Sequence, residues 1–222
     1  MINKITYWTN QHAREVLKKS LLNNKVSITS TDTIPGLLAP ITQAGITNLN
    51  ELKGKREDKP YLILIASPKK LDSFICTEKL TPGMINVITN CWPGPLTIVF
   101  QAHRTNNSYL ESSQETIALR CPKHTELLKL LETFDGLFST SANKSGEQPP
   151  QNIDTISSDI VKKIALIVID PKDRGTKSST IIDFSQTMNN HTAPIRVIRE
   201  GAYPLKDLEQ HYGQPFEKQL LK

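Results

Sequence analysis

TIALRCPKHTELLKLLETFDGLFST, residues 116–140, reads as strand, helix and strand in one short stretch. Thr116 to Arg120 mixes β-branched and apolar residues, and Pro122 ends it. A helix is expected from Thr125 to Thr133, and Gly136-Leu137-Phe138-Ser139-Thr140 begins the next strand. The same alternation extends upstream. Met84, Val87, Ile88 and Cys91 mark a helix that Trp92-Pro93-Gly94-Pro95 breaks before the strand Leu96 to Phe100, and Tyr61 to Ala66 forms a buried apolar strand. Nearer the N-terminus, Ala13, Val16, Leu17 and Leu21 take helical spacing behind polar Thr9 and Asn10. A strand from Lys25 to Thr29 then runs into the hydroxyl-rich loop Ser30 to Gly36. Downstream, Ile164 to Ile169, Thr180 to Phe184 and Ile195 to Ile198 read as strands, the last two too close together for a helix between them. These elements predict an α/β fold with a twisted mixed sheet and flanking helices.

Composition sets the class. A chain of 222 residues suits one domain, residues 1–222. Hydrophobic residues at 37% and charged residues at 22% are ordinary for a globular enzyme, whereas 6% aromatics is too few for a surface of base-stacking platforms. The formal charge of +5 favours an anionic partner such as ATP or RNA. Cys76, Cys91 and Cys121 are odd in number and form no C-x-x-C pair, which fits a reducing compartment. No signal-peptide pattern or membrane-spanning run is present, so cytoplasm is the expected location and no membrane the expected partner.

Two polar segments invite chemistry. Lys53, Lys55, Arg56 and Lys59 place cations densely enough to neutralise a polyphosphate, although with Glu57 and Asp58 beside them the cluster taken alone reads more readily as a solvated charge run. Ser139-Thr140-Ser141-Ala142-Asn143-Lys144-Ser145-Gly146 ends a strand in small hydroxyl and amide residues. Such a segment binds oxyanions through its backbone N–H groups or makes an ordinary turn with Asn143 as a cap. Thr31-Asp32-Thr33 offers two hydroxyls and a carboxylate to an ammonium or hydroxyl group, or serves as a turn. Arg120 and Arg199 close strands where a guanidinium grips a carboxylate or makes a structural ion pair. No P-loop, G-x-G-x-x-G or H-E-x-x-H pattern occurs, and the five histidines lack ligand-like spacing.

Taken in order, TDTIPGL (31–37), KGKREDKP (53–60), PGPLT (93–97), TIALRCP (116–122), STSANKSG (139–146), SSTIIDF (178–184) and VIREG (197–201) closely resemble the YrdC family, a similarity that makes about 10–201 the core of the domain and 202–222 a short tail. The resemblance implies a sheet around a large basic cleft in which ATP, L-threonine and bicarbonate become threonylcarbamoyl-adenylate and pyrophosphate, for the threonylcarbamoyladenosine modification of tRNA. It implies that Thr31, Arg120, Ser141 and Ser179 hold threonine. It also implies that Lys53, Lys55, Lys59, Thr116, Asn143 and Arg199 hold the nucleotide, with Lys53 and Lys55 central to catalysis. Mg²⁺ would bind through the phosphates, with no protein metal site, and the product would pass to tRNA threonylcarbamoyl-transfer proteins.

The chain departs from that family's pattern twice. Lys55 and Arg56 stand where K-x-R-P has Arg and Pro, and Thr29, Ser30 and Pro35 stand where Y-P-T-[DE]-T-V-Y-G-L has Tyr, Pro and Tyr. Two rival readings follow: a YrdC-like protein that binds RNA or nucleotide without synthase activity, and carbamoyl-adenylate chemistry like that of the related domain in hydrogenase-maturation proteins.

Overall fold

The computed structural model describes residues 4–54, 61–103, 115–170 and 177–218. Its elements, in chain order, are β1 (Ile5–Tyr7), α1 (Ala13–Leu22), β2 (Ser27–Thr29), β3 (Gly36–Pro40), α2 (Gln43–Lys53), β4 (Leu62–Leu64), α3 (Pro82–Cys91), β5 (Leu96–Gln101) and β6 (Thr116–Arg120). They continue as α4 (Thr125–Leu131), β7 (Leu137–Ser141), α5 (Ser158–Lys163), β8 (Leu166–Ile169), β9 (Thr180–Asp183), β10 (Arg196–Arg199), α6 (Leu205–Tyr212) and β11 (Glu217–Lys218). The strands form one mixed sheet in the order β1-β8-β2-β3-β7-β4-β6-β5-β9-β10-β11.

Alternation along the strands sends side chains to two cores. Leu37, Ala39, Ile63, Phe138 and Ile167 enter the larger one, while Leu38, Leu64, Leu137, Leu166 and Val168 enter the smaller one on the opposite face. Helices α2, α3, α5 and α6 cover the first face through Leu49, Leu52, Met84, Val87, Ile160 and Leu208; α1 and α4 cover part of the second through Leu17, Leu21, Leu127 and Leu130. Each fully buried Leu, Ile or Phe contributes roughly 1.5–3 kcal/mol. The second face, on which two helices lie among the described residues, holds a cavity.

Local sequence explains the helix ends. The Oγ1 atoms of Thr42 and Thr81 accept from Gly45 N and Met84 N at the starts of α2 and α3, and Pro82 fits the first turn, where its missing N–H costs nothing. Asn10 is not the cap of α1: its Oδ1 accepts from His12 N and closes the turn before the helix.

Five of these elements, β1, β3, α5, α6 and β11, were not foreseen. Gly36–Pro40 is a strand, β3, antiparallel to both β2 and β7. It is buried along its whole length, so it lacks the polar alternation that would have marked it. Helix α5 is short, and the tail expected at 202–222 carries α6 and β11; Leu208 enters the main core and β11 pairs with β10.

Candidate functional site

A cavity of about 210 Å³ lies on the sparsely covered face, floored by Leu62, Leu64, Ala118 and Ile181 and walled by hydroxyl groups and two arginines. The sequence blocks meet here because the loop after β2 folds over the sheet. Arg120, at the end of β6, donates through NH1 to Thr33 Oγ1 at 2.8 Å, through Nε to Gly94 O at 3.2 Å and through NH2 to Asp32 Oδ1. Thr33 Oγ1 is in turn 3.0 Å from Thr31 Oγ1, which also accepts from Thr33 N and donates to Ile34 O. One guanidinium therefore ties together the loop at 31–37, the Pro-Gly-Pro turn and β6. The Asp32 carboxylate, considered from sequence as a contact for a ligand's ammonium or hydroxyl, serves Arg120 and is absent from the cavity lining.

The second arginine arrives by a backbone irregularity. Arg196 pairs with Asp183 and Val197 with Ile182, but Arg199 pairs with Ile181, so Ile198 is an extra residue in β10. This bulge rotates Arg199 to the cavity side; without it Ile198 would take that place and Arg199 would face the main core. Arg199 donates through Nε and NH2 to Ser179 O at 3.1 and 2.9 Å, and NH2 lies 3.3 Å from Ser179 Oγ. Ser179 Oγ is 2.8 Å from Thr97 Oγ1. Burial, and secondly the positive charge of Arg120, lower the pKa of Arg199, which still stays protonated at neutral pH. Gly201 makes this arrangement possible: a Cβ there would lie 2.4 Å from Ser179 C and from Ser178 O.

The loop after β7 forms the third wall. Ser139, Thr140 and Ser141 line the cavity, and Gly36 lets β3 approach them, since its Cβ would stand 3.2 Å from Ser139 Oγ. Lys53, only 4% exposed, donates to Ser141 O at 3.0 Å and Asn143 Oδ1 at 3.4 Å. Asn143 gives both amide hydrogens to Lys144 O and Glu147 O. Asn143 thus closes a turn and caps no helix, and the buried ammonium of Lys53 organises the segment from behind.

Of the residues proposed from sequence, Thr31, Arg120, Ser141, Ser179 and Arg199 meet at the cavity. Lys53 and Asn143 sit just behind it, and Thr116 lies further along β6 on the same face. Lys55 and Lys59 fall outside the described residues. Thr33, Ser139 and Ser178, which the sequence offered within their segments without a separate role, also line the cavity, as does Thr97, which was missed. Thr97 was legible in principle: Leu96, Ile98 and Phe100 mark the core face of β5, which leaves its hydroxyl on the other. Two of the atypical residues have structural tasks, since Thr29 Oγ1 accepts from Trp8 Nε1 and Ser30 Oγ from Asp170 N.

Arginine and hydroxyl groups converging on a small cavity over a mixed sheet suit a small, oxygen-rich anionic ligand. The chain belongs to the Sua5, YciO and YrdC family, whose model, described as "Telomere recombination", matches residues 19–201. A threonylcarbamoyl-AMP synthase of Pyrococcus abyssi is 28% identical over 186 residues, covering 83% of this chain and 52% of that protein. The chain thus spans about half the length of that relative. A threonylcarbamoyl-AMP synthase of an Enterobacter species is 34% identical over 131 residues, 58% of this chain and 69% of that protein. The crystal structure of P. abyssi Sua5 complexed with L-threonine matches with a TM-score of 0.79 at 26% identity, covering 93% of this chain and 58% of that one.

Proposed function

We propose that the protein is a threonylcarbamoyl-adenylate synthase, combining L-threonine, bicarbonate and ATP into threonylcarbamoyl-AMP, pyrophosphate and water. The observation that carries the reading is the cavity itself: two arginines and paired hydroxyls around a floor the size of a small amino acid. It agrees with the names of the relatives and with the threonine complex of the archaeal protein.

In this reading Arg120 takes the threonine carboxylate, its guanidinium held in plane by Asp32, Thr33 and Gly94. Thr31, Ser141 and Ser179 surround the rest of the amino acid. Once its amine has combined with bicarbonate, the carbamate oxygen attacks the α-phosphorus of ATP and pyrophosphate leaves. Positioning and charge neutralisation supply the catalysis, with Arg199 facing the anionic reactants and Lys53 bracing the phosphate-side loop together with Asn143. Lys55, Lys59 and Thr116 complete the nucleotide site. Mg²⁺ would be carried on the phosphates with mostly water ligands. Among the described residues no helix is long and apolar enough to cross a membrane. The mixed anhydride is short-lived in water, so tRNA threonylcarbamoyl-transfer proteins are its natural recipients.

The test is pyrophosphate release by the purified chain with ATP, bicarbonate and Mg²⁺, with and without L-threonine, and chromatography for the adenylate. Threonine-dependent release is expected. Folded protein that releases none, while binding RNA in a salt-sensitive and threonine-independent way, would replace the synthase with the nucleic-acid-binding reading.

A further inference from the structure

We propose that Gln101 reads the base of the bound nucleotide, its side-chain oxygen accepting from the exocyclic amine of adenine. The inference rests on the synthase reading above and adds base selection to it.

The argument begins with strand parity. In β5, Leu96, Ile98 and Phe100 enter the main core and Thr97 lines the cavity, which puts Val99 and Gln101 on the cavity face. In β6, Ile117 and Leu119 enter the core and Ala118 and Arg120 line the cavity, which puts Thr116 on that face too. The register sets Val99 beside Ala118 and Gln101 beside Thr116. These four residues are partly exposed, whereas Ile98, Phe100, Ile117 and Leu119 on the other side are fully buried. Beyond Ala118 on this face, and outside the residues that line the cavity, Val99, Thr116 and Gln101 form a partly exposed strip ending in Thr116 and Gln101.

Gln101 Oε1 is buried and has no hydrogen-bond partner. An amide oxygen in that condition is a cost to the folded protein, and it marks a place where a donor is missing. The nearby carboxylate on the same face differs, because Asp183 accepts from Arg196 NH2 and Ser185 N, both at 2.8 Å. From Arg120 to Thr116 the strand advances about 13 Å. A nucleoside monophosphate spans such a length, with its phosphate near the arginines and its base on Val99 and Ala118. An uncharged acceptor at the far end matches the N6 amine of adenine, as side-chain amides do elsewhere, and opposes the O6 carbonyl of hypoxanthine or guanine.

The test compares wild type with Gln101→Leu, which keeps most of the side-chain volume and removes the acceptor. Calorimetric binding and threonine-dependent pyrophosphate release are measured with ATP, inosine triphosphate and purine riboside triphosphate, the last lacking only the amine. Wild type is expected to prefer ATP over purine riboside triphosphate about tenfold or more, as sites built to hydrogen-bond a substrate group do. Gln101→Leu should lose about that factor for ATP alone and should melt at or above the wild-type temperature, because an unpartnered polar atom is gone. Retained ATP preference in Gln101→Leu would show that Oε1 holds only water, and an equal loss for all nucleotides with a lower melting temperature would show a packing role. Either overturns the proposal. Amine-selective binding without pyrophosphate release would uphold Gln101 and overturn the synthase, whereas absence of nucleotide binding would overturn both.

Discussion

Arg199 and Ser179 are locked together: the guanidinium makes two hydrogen bonds to the Ser179 carbonyl and a longer one to its hydroxyl. In the proposed reading Ser179 serves threonine and Arg199 the nucleotide, so the two ligands would meet at one backbone carbonyl. Ser179→Ala leaves that carbonyl in place and removes only the hydroxyl, which meets Thr97 Oγ1 and, at longer range, Arg199 NH2. The expected result is a stability loss of about 1 kcal/mol and a rise of roughly tenfold in the KM for threonine, with a smaller change for ATP. Equal KM changes for both substrates would show that the hydroxyl serves the Arg199 position alone.

Gly201 should be intolerant of even one methyl group. Its Cβ would meet Ser178 O and Ser179 C at 2.4 Å, and both are backbone atoms that cannot swing aside. Gly201→Ala is expected to cost about 1–3 kcal/mol and to depress turnover more than Ser179→Ala, because the whole Ser178-Ser179 segment must shift. Thermal melting and steady-state kinetics on the same preparation check both parts.

Asp32 is expected to matter through Arg120. Asp32→Ala removes the carboxylate from a guanidinium that is nearly inaccessible to water, and breaking such a pair costs about 3 kcal/mol. Asp32→Asn keeps an acceptor for NH2 and should cost less. Urea denaturation of the three proteins tests the order; an unchanged midpoint for Asp32→Ala would show that Thr33 and Gly94 suffice to hold Arg120.

Thiol chemistry gives a pH-dependent check. Burial, followed by the negative charge of Asp32, pushes the Cys121 thiol up to about 12, and burial raises Cys91. Cys76 is raised mainly because its S–H donates to Glu78, where a thiolate would face a carboxylate. All three should thus stay protonated at pH 8 and alkylate slowly. Glu78→Gln removes the opposing charge, lowers the Cys76 pKa and should speed its labelling by iodoacetamide a few-fold, as mass spectrometry would read; Cys121 should not change.

What the sequence determined by itself was local. Strand and helix periodicity placed most elements, and seven short blocks in order identified the family and most of the residues around the cavity. Strand β3 escaped because a strand buried on both faces shows no alternation, and α6 escaped because a helix touching the core mainly through Leu208 shows little. Only the tertiary structure decided the rest. It turned Asp32 toward Arg120 and away from the cavity, drew Lys53 behind the 141–143 segment, used a one-residue bulge to bring Arg199 to the cavity face, and left Gln101 without a partner. The physical reason is that local periodicity fixes which face a side chain occupies within its own element. Its hydrogen-bond partners come from segments distant in the chain, and they are set only when the strands pair in register.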